Sequence, residues 1–391
     1  MPMNPLEAQL HYPRGEELPA VGKRIDLSPG VAWLRMPLPF ALDHINLWLL
    51  RDHLSGRDGW TLVDCGASTE AIRQAWDQLI EAPLTEGGLD GLPILRIICT
   101  HMHPDHVGLA AMLADRFDCA LWMTVGEYGL CRVLSQGLPG ADGASAYDHY
   151  RSHGVVDAER LAKLRKHGAH SFRSLVPDVP SRFRRIRDGE SIRIGYRQWQ
   201  VITGCGHSPE HASLYSESAD PVGLSPGQTA SELAVDPMLI SGDMVLPRIS
   251  TNTSVWEIEP ESNPVQWFMD SIEQFRRCSP HTLVLPSHGK PFEGLHTRID
   301  QLRDHHHARL QEVREACDSL DCCAMDIVPI MFRRPLDTHQ ISFALGEALG
   351  HLHALWYAGE LTRYVDDQQV LRFRKTAPSS RKLAINEAGV L

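Results

Sequence analysis

"CTHMHPDHVG", residues 99–108, places three histidines and an aspartate close together at His101, His103, Asp105 and His106. All four side chains are of types that bind metal ions in proteins. The chain contains 21 histidines, so a chance cluster is a real alternative. The stretch decides the fold only if other segments supply the ligands that a metal site still needs.

The residues around this stretch indicate a strand, a loop and a helix, in that order. "PILRIICT" (93–100) is a nearly continuous apolar run, which is typical of a strand buried on both faces. "PDHVGLAAMLADRF" (104–117) has a helical pattern, with Pro104 in its first turn. The candidate ligands therefore lie where a buried strand ends and a helix begins, and ligand sites in α/β sheets form there.

Three later segments repeat this pattern, in which an apolar strand is followed by a ligand with a glycine beside it. They are "VITGCGHSPEH", "LISGDMV" and "LVLPSHGK", which contain His207, Asp243 and His288. The four ligands of the first stretch cannot all reach one ion in good geometry, but they can divide between two ions. The sequence thus predicts two divalent metal ions, with zinc as the first choice and iron or manganese as alternatives.

The complete series of motifs resembles the metallo-β-lactamase superfamily. The run H-x-H-x-D-H at 101–106 is followed in the family's order by His207, Asp243 and His288. "LVDCG", with Asp64, is similar to the family's acidic turn before the strand that leads to this run. The resemblance covers roughly residues 25–295, and a motif series in its expected structural context is specific.

The resemblance implies a role for each of these residues. One ion would be bound by His101, His103 and His207, and the other by Asp105, His106 and His288. Asp243 would bridge the two ions together with a water or hydroxide, so Asp105 and Asp243 are the candidate catalytic residues. Asp64 would hold a ligand in place without binding metal. The position of His211, four residues after His207, is compatible either with a contact to substrate or with a residue that holds a ligand in place.

Two departures bear on the chemistry. The zinc β-lactamases of the main class have a cysteine where this chain has Asp243, which points instead to the glyoxalase II, lactonase and nuclease branches. Antibiotic hydrolysis is therefore not expected. Cys205 stands two residues before His207, where the family usually has proline, and its role is left open between a spectator and a weak competing ligand.

The predicted fold class is α/β, a four-layer αββα sandwich with a helical insertion and a small C-terminal winged-helix-like domain. We expect the catalytic domain over 1–295 and the helical, winged-helix-like domain over 296–391. The insertion at about 125–180 is expected to form a lid or pocket wall over the metals. Its aromatic residues either line an apolar pocket or pack between helices, and they are Tyr128, Tyr147, Tyr150 and Phe172.

Composition narrows the classes of partner. The 391 residues include 49 acidic and 38 basic side chains, which argues against a nucleic-acid-binding protein. The N-terminal residues lack the pattern of a secretory signal, and the sequence has no long apolar run that would span a membrane. Nine scattered cysteines without a CxxC pair favour free thiols and a cytoplasmic location.

The expected activity is metal-dependent hydrolysis, in which a metal-bridging hydroxide attacks an ester, thioester or lactone carbonyl of a small molecule. Two alternatives stay open at this point: a metal-dependent nuclease or phosphodiesterase, and a mononuclear iron sulfur dioxygenase. We expect a small-molecule substrate and neither nucleic acid nor membrane as partner. Residues 296–391 carry nearly balanced charge, which favours a packing role or a homodimer over DNA reading.

Overall fold

Two β-sheets form the centre of the computed structural model, which describes residues 5–82, 87–218 and 237–377, leaving out the side chains of 167–171. In the first sheet the strands follow the order of the chain. These strands are β1 (Arg24–Ser28), β2 (Val31–Pro37), β3 (His44–Leu54), β4 (Arg57–Val63), β5 (Ile94–Ile98), β6 (Ala120–Met123) and β7 (Phe183–Arg185). Neighbours are antiparallel from β1 to β4 and parallel from β4 to β7.

The second sheet is built from the later strands. They are β8 (Ser191–Ile194), β9 (Arg197–Gly204), β10 (His211–Ser216), β11 (Met238–Gly242) and β12 (Leu283–Pro286). Their order across the sheet is β12-β11-β10-β9-β8, and β11 and β12 are its parallel pair.

Ten α-helices surround the sheets in the described ranges. They are α1 (Glu70–Glu81), α2 (Pro104–Val107), α3 (Ala110–Phe117), α4 (Val125–Gln136), α5 (Gly143–Ser152), α6 (Ala158–Leu175), α7 (Pro264–Glu273), α8 (Leu295–Cys317), α9 (Ala324–Met331) and α10 (Thr338–Tyr357). In this part of the chain no helix combines the length and the apolar character needed to cross a bilayer.

The packing of these elements confirms the predicted four-layer αββα sandwich. The two sheets face each other across a core that includes the buried side chains of Trp33, Trp48 and Trp199. Helices α1 and α3 cover the outer face of the first sheet, and α7 with the first half of α8 covers the outer face of the second. Each face of both sheets is therefore buried, which explains the continuous apolar pattern of strands such as β5.

The helical insertion and the C-terminal unit share one hydrophobic core. Leu161 and Leu164 of α6 belong to the same buried cluster as Leu345 and Leu349 of α10. After α10 the chain forms an antiparallel hairpin from β13 (Leu361–Val365) and β14 (Leu371–Lys375). Helices followed by a hairpin match the predicted element order, while the winged-helix assignment and the boundary near residue 295 stay predictions.

The two sheets are joined by backbone hydrogen bonds at the edge where the candidate ligands follow the strands. The Ala212 N–H donates to Thr100 O over 2.8 Å, and the Asn46 N–H donates to Ser287 O over 2.7 Å. Each bond connects one sheet to the other directly beside a candidate ligand. The ligand loops therefore start from a rigid framework.

A buried ion pair contacts both sheets elsewhere in the sandwich. The Asp52 carboxylate of β3 lies 2.7 Å from an Arg96 guanidinium nitrogen of β5, and both side chains are almost completely buried. The guanidinium also donates to Arg193 O in the second sheet.

We predict that Asp52→Ala lowers the free energy of unfolding by about 3–5 kcal/mol, because it leaves the Arg96 charge buried without its partner. Urea denaturation followed by circular dichroism measures this change. Asp58→Ala, which removes an exposed carboxylate from the neighbouring strand, is the control and should change stability little. Equal effects of the two substitutions would contradict the prediction.

Candidate metal centre

The seven predicted ligands come together at one edge of the sandwich. The first four follow β5, in the loop and the one-turn helix α2, and the other three follow β9, β11 and β12. They form two adjoining groups, in each of which the ligand atoms all lie within 4.8 Å of one another. The first group is His101, His103, His207 and Asp243, and the second is Asp105, His106 and His288.

In the first group three imidazole rings converge. His101 Nε2 lies 2.9 Å from His103 Nδ1 and 3.3 Å from His207 Nε2. His207 Nδ1 donates to the backbone oxygen of Asn252 over 2.8 Å, so its Nε2 presents a lone pair to the centre. Lone pairs that face one another repel, and a cation between them removes this repulsion.

The second group is built in the same way from a carboxylate and two rings. Asp105 Oδ2 lies 3.6 Å from His106 Nε2 and 3.3 Å from His288 Nε2. On their outer sides, His106 Nδ1 donates to Asp64 over 2.8 Å and His288 Nδ1 donates to His44 O over 2.8 Å. These hydrogen bonds occupy both Nδ1 atoms, so both Nε2 atoms face the centre, which is the orientation that metal-binding histidines require.

Asp243 lies between the two groups. Its Oδ2 is 3.3 Å from His207 Nε2, and its Oδ1 is 3.5 Å from His106 Nε2 and 3.4 Å from His288 Nε2. Within the described structure, Asp243 Oδ1 and His106 Nε2 are buried and lack a hydrogen bond of acceptable geometry. Buried polar atoms are rarely left unpaired, so the donor set fits divalent metal ions.

Asp64 lies where the sequence pattern predicts a residue that holds a ligand. Its Oδ2 accepts from His106, and its Oδ1 accepts from the Thr100 N–H over 2.8 Å. Its backbone φ is 63°, which is uncommon for a residue with a side chain. The left-handed turn directs the carboxylate onto the ligand loop, and such strain often occurs at functional sites.

His211 contacts Asp243 through the backbone. Its Nε2 accepts from the Asp243 N–H over 3.1 Å. Gly242 makes this contact possible, because a Cβ atom at that position would lie 2.3 Å from His211 Nε2 and its φ is +54°. His211 therefore fixes the start of the Asp243 loop, in agreement with its predicted position beside the ligands.

The surroundings give the two groups different charge states in the absence of metal. Burial and the neighbouring His207 lower the pKa of His103 to about 3. Burial alone would also lower the pKa of His106, but the carboxylates of Asp105 and Asp64 outweigh it and raise the pKa to about 9. Because neutral imidazole is the form that binds metal, an ion at the second group would have to displace a proton from His106, whereas His103 of the first group is already neutral.

Glu127 of α4 is a residue of this centre that the sequence analysis missed. Its buried carboxylate accepts from the Met102 N–H over 2.9 Å, from Ser208 Oγ over 2.6 Å and from the Glu210 N–H over 2.7 Å. It thus connects the loop between His101 and His103 to the loop after His207. Burial raises the pKa of Glu127, and these hydrogen bonds oppose that shift.

Other predicted positions lie away from the ligand atoms. Cys205 is in neither ligand group, and its thiol donates to Pro209 O. Burial raises its pKa, which keeps it protonated. The four aromatic residues of the insertion pack in hydrophobic cores and do not line the cavity beside His207; they are Tyr128, Tyr147, Tyr150 and Phe172. Of the two roles that the sequence leaves open for these aromatic residues, the structure supports packing between helices.

Comparisons with known proteins agree with this geometry. Residues 41–220 match the family described as the metallo-beta-lactamase superfamily, and residues 310–376 match the metallo-beta-lactamase-like C-terminal domain. The crystal structure of a beta-lactamase domain protein from Burkholderia ambifaria is 51% identical, covers 95% of this chain and 100% of its own, and superposes with a TM-score of 0.85.

Two more distant proteins are also similar to this chain, the first by its structure and the second by its sequence. A metallo-beta-lactamase family protein from Thermus thermophilus is 24% identical, covers 90% of this chain and 100% of its own, and has a TM-score of 0.68. The probable metallo-hydrolase YqjP of Bacillus subtilis (strain 168) is 24% identical over 86% of this chain and 95% of its own.

The sandwich and its histidine-aspartate centre define a metal-dependent hydrolase. The two family matches and the relative that is 51% identical together establish the family. The chain belongs to the metallo-β-lactamase superfamily, as the resemblance of its motifs predicts.

We predict that Glu127→Gln weakens zinc binding about 10–100-fold, the usual cost of losing a residue that holds metal ligands. The amide replaces one acceptor oxygen by a donor, which then faces either the Met102 N–H or the Ser208 and Glu210 donors. Competition with a chromophoric chelator measures the change. Glu159→Gln, at an exposed position of the same insertion, should bind zinc as the unmodified chain does; equal affinity of all three proteins would contradict the prediction.

Proposed function

We propose that this chain is a dinuclear metal-dependent hydrolase that cleaves an ester, thioester or lactone of a small organic molecule. The position of Asp243 is the observation that carries the proposal. One of its carboxylate oxygens faces His207 at 3.3 Å, and the other faces His288 at 3.4 Å. A carboxylate with one oxygen toward each ligand group suits a pair of ions, as two-metal hydrolases require.

The donors favour zinc, because imidazole nitrogen and carboxylate oxygen both suit it, and iron or manganese are the alternatives. A pair of divalent ions supplies hydroxide near neutral pH and stabilises negative charge on a carbonyl oxygen. The protein's own part is to fix the donors. Asp64, Asn252 and His44 each accept a hydrogen bond from the Nδ1 of one ring. The Nε2 atoms of these three rings, His106, His207 and His288, therefore stay directed at the centre.

The cavity beside the centre supports a small-molecule substrate. It has a volume of about 470 Å³ and includes His207 in its lining. Ligand pockets commonly have volumes of about 300–1,000 Å³. Neither Lys nor Arg occurs among its described lining residues, and the chain has a formal charge of −11. Nucleic-acid binding depends on basic contacts to phosphates, so we propose that nucleic acid is not the substrate.

A hydrolysis panel tests the proposal. Zinc-loaded protein is offered an ester, a thioester, a lactone and a phosphodiester, each before and after treatment with a chelator. We expect turnover of at least one carbonyl substrate, loss of activity on chelation and recovery on adding zinc. Asp243→Asn and Asp105→Ala should each lower kcat/KM by about 100-fold or more. Asp77→Asn, on the exposed face of α1, should keep full activity.

Elemental analysis separates the alternatives. Two zinc ions per chain agree with the proposal, whereas one iron ion per chain and no hydrolysis would favour the sulfur dioxygenase. Turnover of the phosphodiester alone, with salt-sensitive binding to oligonucleotides, would favour the nuclease. If no substrate is turned over and no metal copurifies, the proposal fails.

We also propose a cytoplasmic location, which the nine unpaired cysteines support. For residues 296–391 we propose a packing role or a homodimer contact, and light scattering on the purified chain would distinguish a dimer from a monomer.

A further inference from the structure

A row of aromatic side chains crosses from the first sheet to the C-terminal unit. Phe40 stacks on His339 with ring centroids 6.0 Å apart, and His339 lies 5.0 Å from Phe343. Phe343 then contacts Trp256 edge to face at 5.6 Å. These four residues are called the aromatic surface below. Phe40 and Phe343 remain 40% and 38% exposed, so the surface is open to a ligand.

Each end of the aromatic surface lies close in the chain to a residue whose carbonyl accepts a hydrogen bond from a candidate metal ligand. Phe40 precedes His44 by four residues, and the His44 carbonyl holds the second-group ligand His288. Trp256 follows Asn252 by four residues, and the Asn252 carbonyl holds the first-group ligand His207. Four extended residues span at most about 14 Å, so each end lies within that distance of a residue that holds a ligand. Each end of the surface is therefore connected through a short stretch of backbone to a residue that holds a candidate ligand of one group.

The cavity beside His207 continues this surface and defines its charge preference. Trp256 belongs to both, and Trp267 and Ile258 add further apolar area to the lining. The charged groups of the described lining are acidic, namely Glu259 and Asp270. Aromatic rings beside carboxylates attract cations and apolar groups and disfavour anions.

We propose that the aromatic surface and the adjoining cavity bind the non-reacting part of the substrate, and that this part is aromatic or apolar and carries no negative charge. The assignment rests on the proposed function, since it places the cleaved carbonyl at the metal centre. It names the substrate class as uncharged or cationic organic esters, thioesters or lactones. Phe343 and His339 come from α10, so the C-terminal unit contributes directly to substrate recognition.

A matched series of thioesters tests the charge preference. S-benzyl thioacetate is compared with its 4-trimethylammonio and 4-carboxy derivatives, which share the reacting group. We expect kcat/KM for the carboxylate to be about tenfold or more below the other two. Equal values for the three substrates, or a preference for the carboxylate, would overturn the assignment.

Phe343→Ala tests the surface itself. It should raise KM for S-benzyl thioacetate about tenfold more than KM for S-methyl thioacetate, because the small substrate does not reach the ring. Tyr357→Ala, which removes an exposed aromatic side chain near the end of the same helix, is the control and should change neither. An equal effect of Phe343→Ala on both substrates would contradict the assignment.

A binding measurement separates this assignment from the proposed function. Calorimetric titration with benzyltrimethylammonium chloride involves no hydrolysis. We expect binding that Phe343→Ala weakens about tenfold and that Tyr357→Ala leaves unchanged. Binding without turnover of any ester would reject the proposed function and keep the aromatic surface only as a site for apolar or cationic ligands. Turnover without this binding pattern would keep the proposed function and overturn the assignment of the aromatic surface.

An independent set of hydrogen bonds links α10 to a metal ligand. The Asn252 carbonyl accepts from His207 Nδ1, and the Asn252 side chain donates to Glu347 Oε2 over 3.2 Å. In the same segment, Thr251 Oγ1 donates to Asp243 O. Residues 251–252 thus contact both His207 and Asp243. Helix α10 contacts the same segment through Glu347.

The surface of α10 is shaped for this contact. A Cβ atom on Gly346 would lie 2.7 Å from Ser254 Cβ, and one on Gly350 would lie 2.6 Å from Thr253 O. The two glycines let the segment after Asn252 approach the helix closely, while Glu347 is itself buried. Side chains at these two positions would displace the segment that carries Asn252.

We infer that Glu347 is a positioning residue for the metal centre, acting through Asn252 on His207. Zinc affinity tests this directly. Glu347→Leu removes the acceptor and should weaken zinc binding about tenfold or more, whereas Glu347→Gln keeps an acceptor oxygen and should stay within about twofold of the unmodified chain. Chelator competition provides the affinities, and circular dichroism verifies folding.

Two further variants keep the inference falsifiable. Glu360→Leu breaks the ion pair with Arg314 in the C-terminal unit and serves as the control that should not change zinc affinity. If Glu347→Leu does not fold, Asn252→Ala removes the same link from its other end and should weaken zinc binding similarly. Unchanged zinc affinity in a folded variant, or equal losses in Glu347→Gln and Glu347→Leu, would overturn the inference.

Discussion

The buried carboxylate of Asp243 is the group on which the rest of the centre depends. Its oxygens face imidazole nitrogens of both ligand groups, and Oδ1 has no hydrogen bond of acceptable geometry in the described structure. Burial of an unpaired polar group costs about 2–7 kcal/mol relative to water. Divalent cations bound at the proposed centre would pair with this oxygen and offset the mutual repulsion of the candidate ligands that the fold brings together.

Support for the ligands comes from three parts of the chain. The sandwich supplies Asp64, in a strained left-handed conformation, to hold His106. The insertion supplies Glu127, which joins two ligand loops, and the C-terminal unit supplies Glu347 behind Asn252. Helices α5 and α6 of the insertion share a hydrophobic core with the C-terminal unit, whereas α4, which carries Glu127, packs in the core of the first sheet.

The sequence predicts the part of this centre that has a local pattern. An apolar strand followed by a ligand identifies every metal-ligand candidate from His101 to His288, and Asp64 follows from its turn. Glu127 leaves no such signal, because its partners, two backbone N–H groups and the Ser208 hydroxyl, all lie more than twenty residues away in the chain. Asn252 and His44 act through their carbonyl oxygens, which any residue could provide, so no residue type reveals them.

The short segment from Asn252 to Trp256 joins the candidate metal centre to the proposed substrate surface. Its first residue holds His207, and its last residue lies in both the cavity lining and the aromatic surface. Between them, Ser254 packs against the glycine surface of α10. A ligand that displaces Trp256 therefore acts on the same backbone that orients a metal ligand. Because α10 packs closely against this segment, the C-terminal unit would limit how far a bulky substrate could displace Trp256 in the proposed site.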